Sequence, residues 1–233
     1  MQFVFPPSAT VAVPVAASKN LFPVHRVYCV GRNYAEHAKE MSGNDREAPF
    51  FFMKPADAVL PVPAGTVGEL RYPSMTQDLH HEIELVVAIG TGGKNIAAAD
   101  ASEHIWGYAI GLDMTRRDLQ AEAKKAGRPW CTGKGFDQSA PLGPIYPVQA
   151  TGQLHQAAIG LRVNGELRQQ GNVAQLIWNV PETIEYLSQY FELQAGDLIF
   201  TGTPAGVAAV VPGDLMEATI DGLGELKLRV LPA

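Results

Sequence analysis

Two long apolar runs organise the chain, HHEIELVVAIG at residues 80–90 and IWGYAIGL at residues 105–112. Each is too short for a core helix with its caps and is rich in Val and Ile, so each predicts a buried strand. Around them the pattern breaks into shorter pieces. Residues 26–30 and 50–54 read as strands, and residues 34–41 as a helix of about two turns before the polar loop SGNDREAP at 42–49. Asp100–Glu103 begins a short helix. Thr115, with Asp118 three residues on, reads as the N-cap of a helix reaching about Ala126 that Gly127-Arg128-Pro129 stops. Asn164-Gly165 between two alternating segments predicts a hairpin. Pro181 marks the start of a helix over 181–191, and residues 197–231 read as short strands with glycine turns between them. Strands outnumber helices and do not alternate with them, which predicts a strand-rich α+β fold rather than a doubly wound sheet.

The first run carries an anomaly. Glu82 and Glu84 are one residue apart, so in a strand both side chains leave on the same face. Two carboxylates held side by side in an apolar element repel each other. Burying them costs several kcal/mol each, to order of magnitude, unless a cation compensates. The second run ends in a third carboxylate, Asp113. Three carboxylates on core strands suggest a site for a hard divalent ion, because Mg²⁺ and Mn²⁺ prefer oxygen ligands. A carboxylate–arginine cluster that only stabilises the fold is the other reading of the same residues.

Composition narrows the classes. Of 233 residues 46% are hydrophobic and 18% charged, the balance of an ordinary soluble globular protein. The net charge of −6 argues against a nucleic-acid or anionic-membrane partner. Cys29 and Cys131 lack metal-type spacing and read as free thiols of a cytoplasmic protein. The apolar stretch TVAVPVAA at 10–17 is short, contains Pro14 and has no basic segment ahead of it, so it predicts neither a signal peptide nor a membrane span. Residues 1–24 are read as an N-terminal arm or edge strand, and residues 25–233 as one domain without repeats.

Three further groups could carry chemistry. His37 and Glu40 are neighbours at i,i+3 on the first helix, where a carboxylate would orient the imidazole as a general base; a solvated helix face is the alternative. Lys134 lies between Gly133 and Gly135, which would let a ligand approach the backbone, or is an exposed turn lysine. Thr201-Gly202-Thr203-Pro204 follows an apolar strand and can offer N–H and hydroxyl donors to an anion. Gly90-Thr91-Gly92-Gly93 reads as a turn rather than a phosphate loop.

These pieces fall in a familiar order. GRNYAEHAKEM, FFMKPADAV, HHEIELVVAIG, GYAIGLDMTRRDLQ, GRPWCTGKGFDQSAPLGP, LRVNGELRQQG and GDLIFTGTPAGV, read from about residue 25 to 231, resemble the fumarylacetoacetate hydrolase family and most closely its short acylpyruvase branch. The resemblance implies a β-roll or sandwich-like core with flanking helices, a homodimer, and Mg²⁺ or Mn²⁺ on Glu82, Glu84 and Asp113. It implies a small 2-oxo or 2,4-diketo acid as substrate, with fumarylpyruvate in aromatic (gentisate) breakdown the expected one. His37 aligned by Glu40 would activate water, and Lys134 with donors at Gly202 and Thr203 would stabilise the oxyanion. Arg117 and Gln120, on the helix after Asp113, would contact the pyruvate end, and Arg32 the far carboxylate. An oxaloacetate decarboxylase or keto–enol isomerase would use the same metal site without needing activated water. A non-catalytic, metal-stabilised binding module would leave Lys134 without a task.

Overall fold

The computed structural model describes residues 2–34 and 46–233. Of the helix predicted over 34–41, residues 35–41 lie outside the described residues, as does the loop to residue 45; Tyr34 forms a bridge with Leu176. An eight-stranded mixed sheet forms the centre. Its order runs Phe50–Lys54, Val27–Gly31, Leu198–Phe200, Ile83–Ile89, Ile105–Leu112, Ala140–Leu142 and Val59–Pro61, with Tyr146–Pro147 also paired to Ile105–Leu112. A five-stranded sheet, Glu166–Asn172, Ala158–Val163, Leu215–Ile220, Glu225–Leu231 and Val67–Arg71, packs against one face. A three-stranded sheet joins Thr115–Arg116, Leu79–His81 and Ala208–Val210. The fold is strand-rich α+β.

The Ile83–Ile89 strand is buried at every position because both of its faces are covered. Leu85 and Val87 share a core with Leu161, Ala218 and Leu228 of the five-stranded sheet. Val86 and Ala88 share the opposite core with Val13, Val15 and Phe22. Those last residues come from the N-terminal segment, where Ala12–Pro14 and Leu21–Pro23 pair as a small hairpin under the sheet. Two-sided burial is why the sequence shows a continuous apolar run there instead of alternation.

Local signals act largely as their chemistry dictates. Asn164 and Gly165 turn the hairpin with φ of 52° and 81°, the left-handed pair that a two-residue turn needs. The helix Val180–Tyr190 starts with Pro181 in its first turn and a reciprocal Asn179–Glu182 capping box. Two expectations shift. The short helix after Asp100 is a 3₁₀ turn, Ala101–His104, which leads into the strand Ile105–Leu112. Thr115 does not cap a helix: it sits in the short strand Thr115–Arg116, and the helix Arg117–Lys125 begins one residue later without a side-chain cap. Its hydroxyl instead donates to Glu82 Oε1 at 3.0 Å, a charge-assisted partner that a backbone N–H does not displace.

Candidate active site

The centre of the site is a seam. The strands Ile83–Ile89 and Ile105–Leu112 pair antiparallel in the large sheet, and their continuations Leu79–His81 and Thr115–Arg116 pair in the three-stranded sheet. Both segments cross from one sheet to the other at the same level. Glu82 stands at one crossing and Asp113 at the other, and the Asp113 N–H donates to the Glu82 carbonyl at 2.9 Å. Glu84 is one pleat further along. The three carboxylates are buried, and each offers an oxygen within 4.8 Å of the others.

Cations and N–H groups surround this cluster. Lys134, at the end of the helical turn Cys131–Lys134, is buried; its Nζ donates to Asp113 Oδ2 at 2.6 Å and Glu82 Oε2 at 3.0 Å. Burial alone lowers the Lys134 pKa, but the Asp113 and Glu82 carboxylates outweigh it and hold the group raised. Lys134 is therefore an ammonium and a donor, not a base. Lys54 is 1% exposed, and its Nζ lies 2.7 Å from Asp113 Oδ1. The Lys54 ammonium donates to the Met114 carbonyl at 3.2 Å and to the Lys134 carbonyl, and meets Asp113 as an ion pair. The Arg117 guanidinium reaches Glu82 and donates to Gln120 Oε1 at 2.6 Å.

Glu84 is held differently. Its Oε2 accepts from the Gly202 N–H at 2.6 Å. Burial, with Asp113 and Glu82 nearby, pushes its carboxyl well above the usual range; the Gly202 N–H and Lys134 oppose this. Such a carboxyl stays ionised only beside more positive charge. Three carboxylates with no thiolate or imidazole among them form a donor set for a hard divalent ion, and the group fits that ion.

The turn that holds Glu84 depends on a glycine. Gly202 has φ +105°, and a Cβ there would sit 2.7 Å from Asn33 Cβ. Asn33 is itself fixed: its amide donates to Thr201 O at 2.8 Å and Trp178 O at 2.9 Å, and its Oδ1 accepts from Trp178 N. Neither side can yield. Gly202→Ala is expected to cost about 1–3 kcal/mol through backbone strain and to weaken Mn²⁺ binding by displacing the Glu84 N–H contact. Urea denaturation and a Mn²⁺ titration check this; unchanged values in both would refute it.

A narrow cleft opens over the carboxylates, and every substrate-contact residue expected from sequence (Arg32, Arg117, Gln120, Gly202 and Thr203) lines it. Lys134 does so too. Three aromatic rings line it as well, an aromatic wall in which Trp130 lies 5.4 Å from Phe50 and 5.8 Å from Phe52, edge to face. Arg32, with φ +56°, holds its guanidinium 5.6 Å over the Phe50 ring. His37 and Glu40 lie outside the described residues.

Sequence reasoning missed Lys54 and Asn33. The signal for Lys54 was present: in the strand Phe50–Lys54, side chains two apart share a face, so Lys54 faces with Phe50 and Phe52, which line the cleft. Asn33 gives no such signal, since its partners at Trp178 and Thr201 lie far along the chain.

Residues 26–231 match the fumarylacetoacetate (FAA) hydrolase C-terminal family. The crystal structure of fumarylpyruvate hydrolase from Pseudomonas aeruginosa, in complex with Mn²⁺ and pyruvate, is 57% identical to this chain, covers 100% of both chains and superposes with a TM-score of 0.98. The mitochondrial oxaloacetate tautomerase of Rattus norvegicus is 42% identical over 204 residues, 88% of this chain and 90% of its own. The mitochondrial oxaloacetate decarboxylase of Dictyostelium discoideum is 40% identical over 198 residues, 85% of this chain and 89% of its own.

Proposed function

The chain belongs to the fumarylacetoacetate hydrolase family, and within it we propose a metal-dependent hydrolase that cleaves the C–C bond of an acylpyruvate, with fumarylpyruvate the favoured substrate. The observation that carries this reading is the convergence of buried Glu82, Glu84 and Asp113 with Lys134 at the floor of a cleft that Arg32 and Arg117 also line. The likeness over the full chain to a fumarylpyruvate hydrolase supports it.

Charge supports an anionic substrate. The three carboxylates are balanced by three nearby cations, Lys54, Lys134 and Arg117, which touch Glu82 and Asp113, while Glu84 accepts from the Gly202 N–H. A divalent ion added to this balanced set leaves a surplus of positive charge, and Arg32 adds to it. A dianionic diketo acid would match that surplus, whereas a neutral substrate would not.

A Mg²⁺ or Mn²⁺ ion on Glu82, Glu84 and Asp113 would supply Lewis-acid polarisation of the 2-oxo acid and fix its orientation. Arg117 and Gln120 hold the pyruvate end, and Arg32 the far carboxylate. His37, aligned by Glu40, takes a proton from water, and the resulting hydroxide attacks the C4 carbonyl. The Lys134 ammonium and donors of the Gly202–Thr203 turn stabilise the oxyanion; one such donor contributes about 3–4 kcal/mol. Collapse of the oxyanion breaks the C3–C4 bond. The acyl fragment leaves as a carboxylic acid with the hydroxyl from water, and the pyruvate enolate takes the proton at C3.

The similarity to an oxaloacetate tautomerase and an oxaloacetate decarboxylase favours a second reading, in which the same site handles oxaloacetate without activating water. An ultraviolet assay separates the two. Fumarylpyruvate, acetylpyruvate and oxaloacetate are compared as substrates of the Mn²⁺-loaded protein. The first reading expects the highest kcat/KM with fumarylpyruvate. Chelation should abolish turnover, and Mg²⁺ or Mn²⁺ should restore it; full activity in chelator would overturn both readings.

A further inference from the structure

Gln169 is the buried exception on an otherwise exposed or half-buried strand, Glu166–Asn172. It sits where apolar packing would be ordinary, at 0% exposure. The pairing with Ala158–Val163 slips at this point: Leu161 faces Gln169 while Arg162 faces Leu167, leaving Arg168 unpaired as a bulge. A bulge re-aims the neighbouring side chain, and here the amide is turned towards the active-site seam.

Its four contacts fix its orientation. Oε1 accepts from the Ile83 N–H at 3.1 Å and lies 2.8 Å from His81 Nδ1. Nε2 donates to Pro204 O and to Thr203 Oγ1, both at 2.8 Å. An N–H cannot accept and a carbonyl cannot donate, so Ile83 and Pro204 allow only one placement of the amide. Thr203 Oγ1 is thereby made an acceptor, and its own proton must go elsewhere. Thr203 lines the cleft beside Lys134 and Gly202. Two glycines press this turn onto the bulge: a Cβ at Gly206 would lie 2.1 Å from Arg168 O, and one at Gly171 would lie 2.9 Å from Pro204 Cβ.

We propose that Gln169 is a positioning residue that polarises the Thr203 hydroxyl, so that its proton is delivered to the substrate oxyanion in the cleft. It ties the five-stranded sheet to the Glu82–Ile83 crossing and to the oxyanion donor at once. The inference rests on the acylpyruvate reading for the identity of the oxyanion, but the hydrogen-bond chain itself does not.

A double-mutant cycle on the Mn²⁺-loaded enzyme tests it. Thr203→Val is expected to lower kcat roughly 10- to 100-fold, below or at the low end of the loss from an oxyanion-hole donor, while Thr203→Ser stays within about threefold because it keeps the hydroxyl. Gln169→Met should lower kcat about tenfold with KM changed less than about threefold, since the hydroxyl loses its orienting donor. In the Thr203→Val background the same change at Gln169 should lower kcat no further. Multiplying effects in the double variant, or a Gln169 effect confined to KM, would overturn the proposal. If Gln169→Met fails to fold, Gln169→Glu carries the cycle with the same criteria, as it keeps an acceptor for Ile83. Wild-type turnover of fumarylpyruvate tests the acylpyruvate reading separately; if the wild type turns over only oxaloacetate, the cycle is read on that reaction.

Discussion

Asp113→Ala is expected to lower kcat/KM by more than about 10³-fold, beyond the loss from one transition-state donor, and to destabilise the metal-free protein by about 3–5 kcal/mol. The two effects have one cause. Asp113 is an oxygen donor of the carboxylate cluster, and it is also the counterion that Lys54 touches with one oxygen and Lys134 with the other. Lys54 and Lys134 are both buried, so removing Asp113 leaves two ammonium groups in a low-dielectric site facing one fewer carboxylate. Asp113→Asn keeps the volume but not the charge and should show the same double loss with a smaller stability term. The kcat/KM in saturating Mn²⁺ measures the first effect, and denaturation in chelator the second. Activity within tenfold of wild type would remove Asp113 from the metal site; unchanged stability with lost activity would show that the lysines find other counterions.

The second large effect is expected at His37. A general base contributes about 10²–10⁴-fold, so His37→Ala should lower kcat for acylpyruvate hydrolysis by that factor with KM little changed, because water activation is a transition-state event. Oxaloacetate turnover that needs no activated water should persist in the same variant. A Glu40→Gln variant should show a weaker loss and a shifted pH profile, as the carboxylate only orients and strengthens the base. Equal losses on both substrates would mean that His37 serves binding rather than hydrolysis, and an unchanged hydrolysis rate would place the base elsewhere.

What the sequence revealed follows from where information is local. The hairpin at Asn164-Gly165, the capped helix after Asn179 and the buried run 83–89 are each specified by a few adjacent residues. The pair Glu82 and Glu84 stood out for the same reason: strand alternation is a short-range rule. Thr115 was misleading because its hydroxyl has a remote carboxylate to bond, which no cap rule considers. Gln169 was illegible as a site residue because its role comes from a contact 86 residues away along the chain, with Ile83; Lys54 left a signal in the alternation of its own strand, but its partner Asp113 also lies far along the chain. That distance is set by how the sheets stack, not by the residues beside them.

The seam at Glu82 and Asp113 also divides the molecule by what it can tolerate. The carboxylates are anchored in strands that both hydrophobic cores enclose, so a change there is paid in the fold itself. Phe50 and Phe52, on the edge strand Phe50–Lys54, and Arg32, just past the end of its neighbour, form the rim of the cleft, with Trp130 packed on the two rings. Substitutions at that rim can re-tune which acid enters without moving the platform beneath. New substrate preferences are therefore accessible to this scaffold by drift at its margin, while its reaction chemistry is locked to the interior.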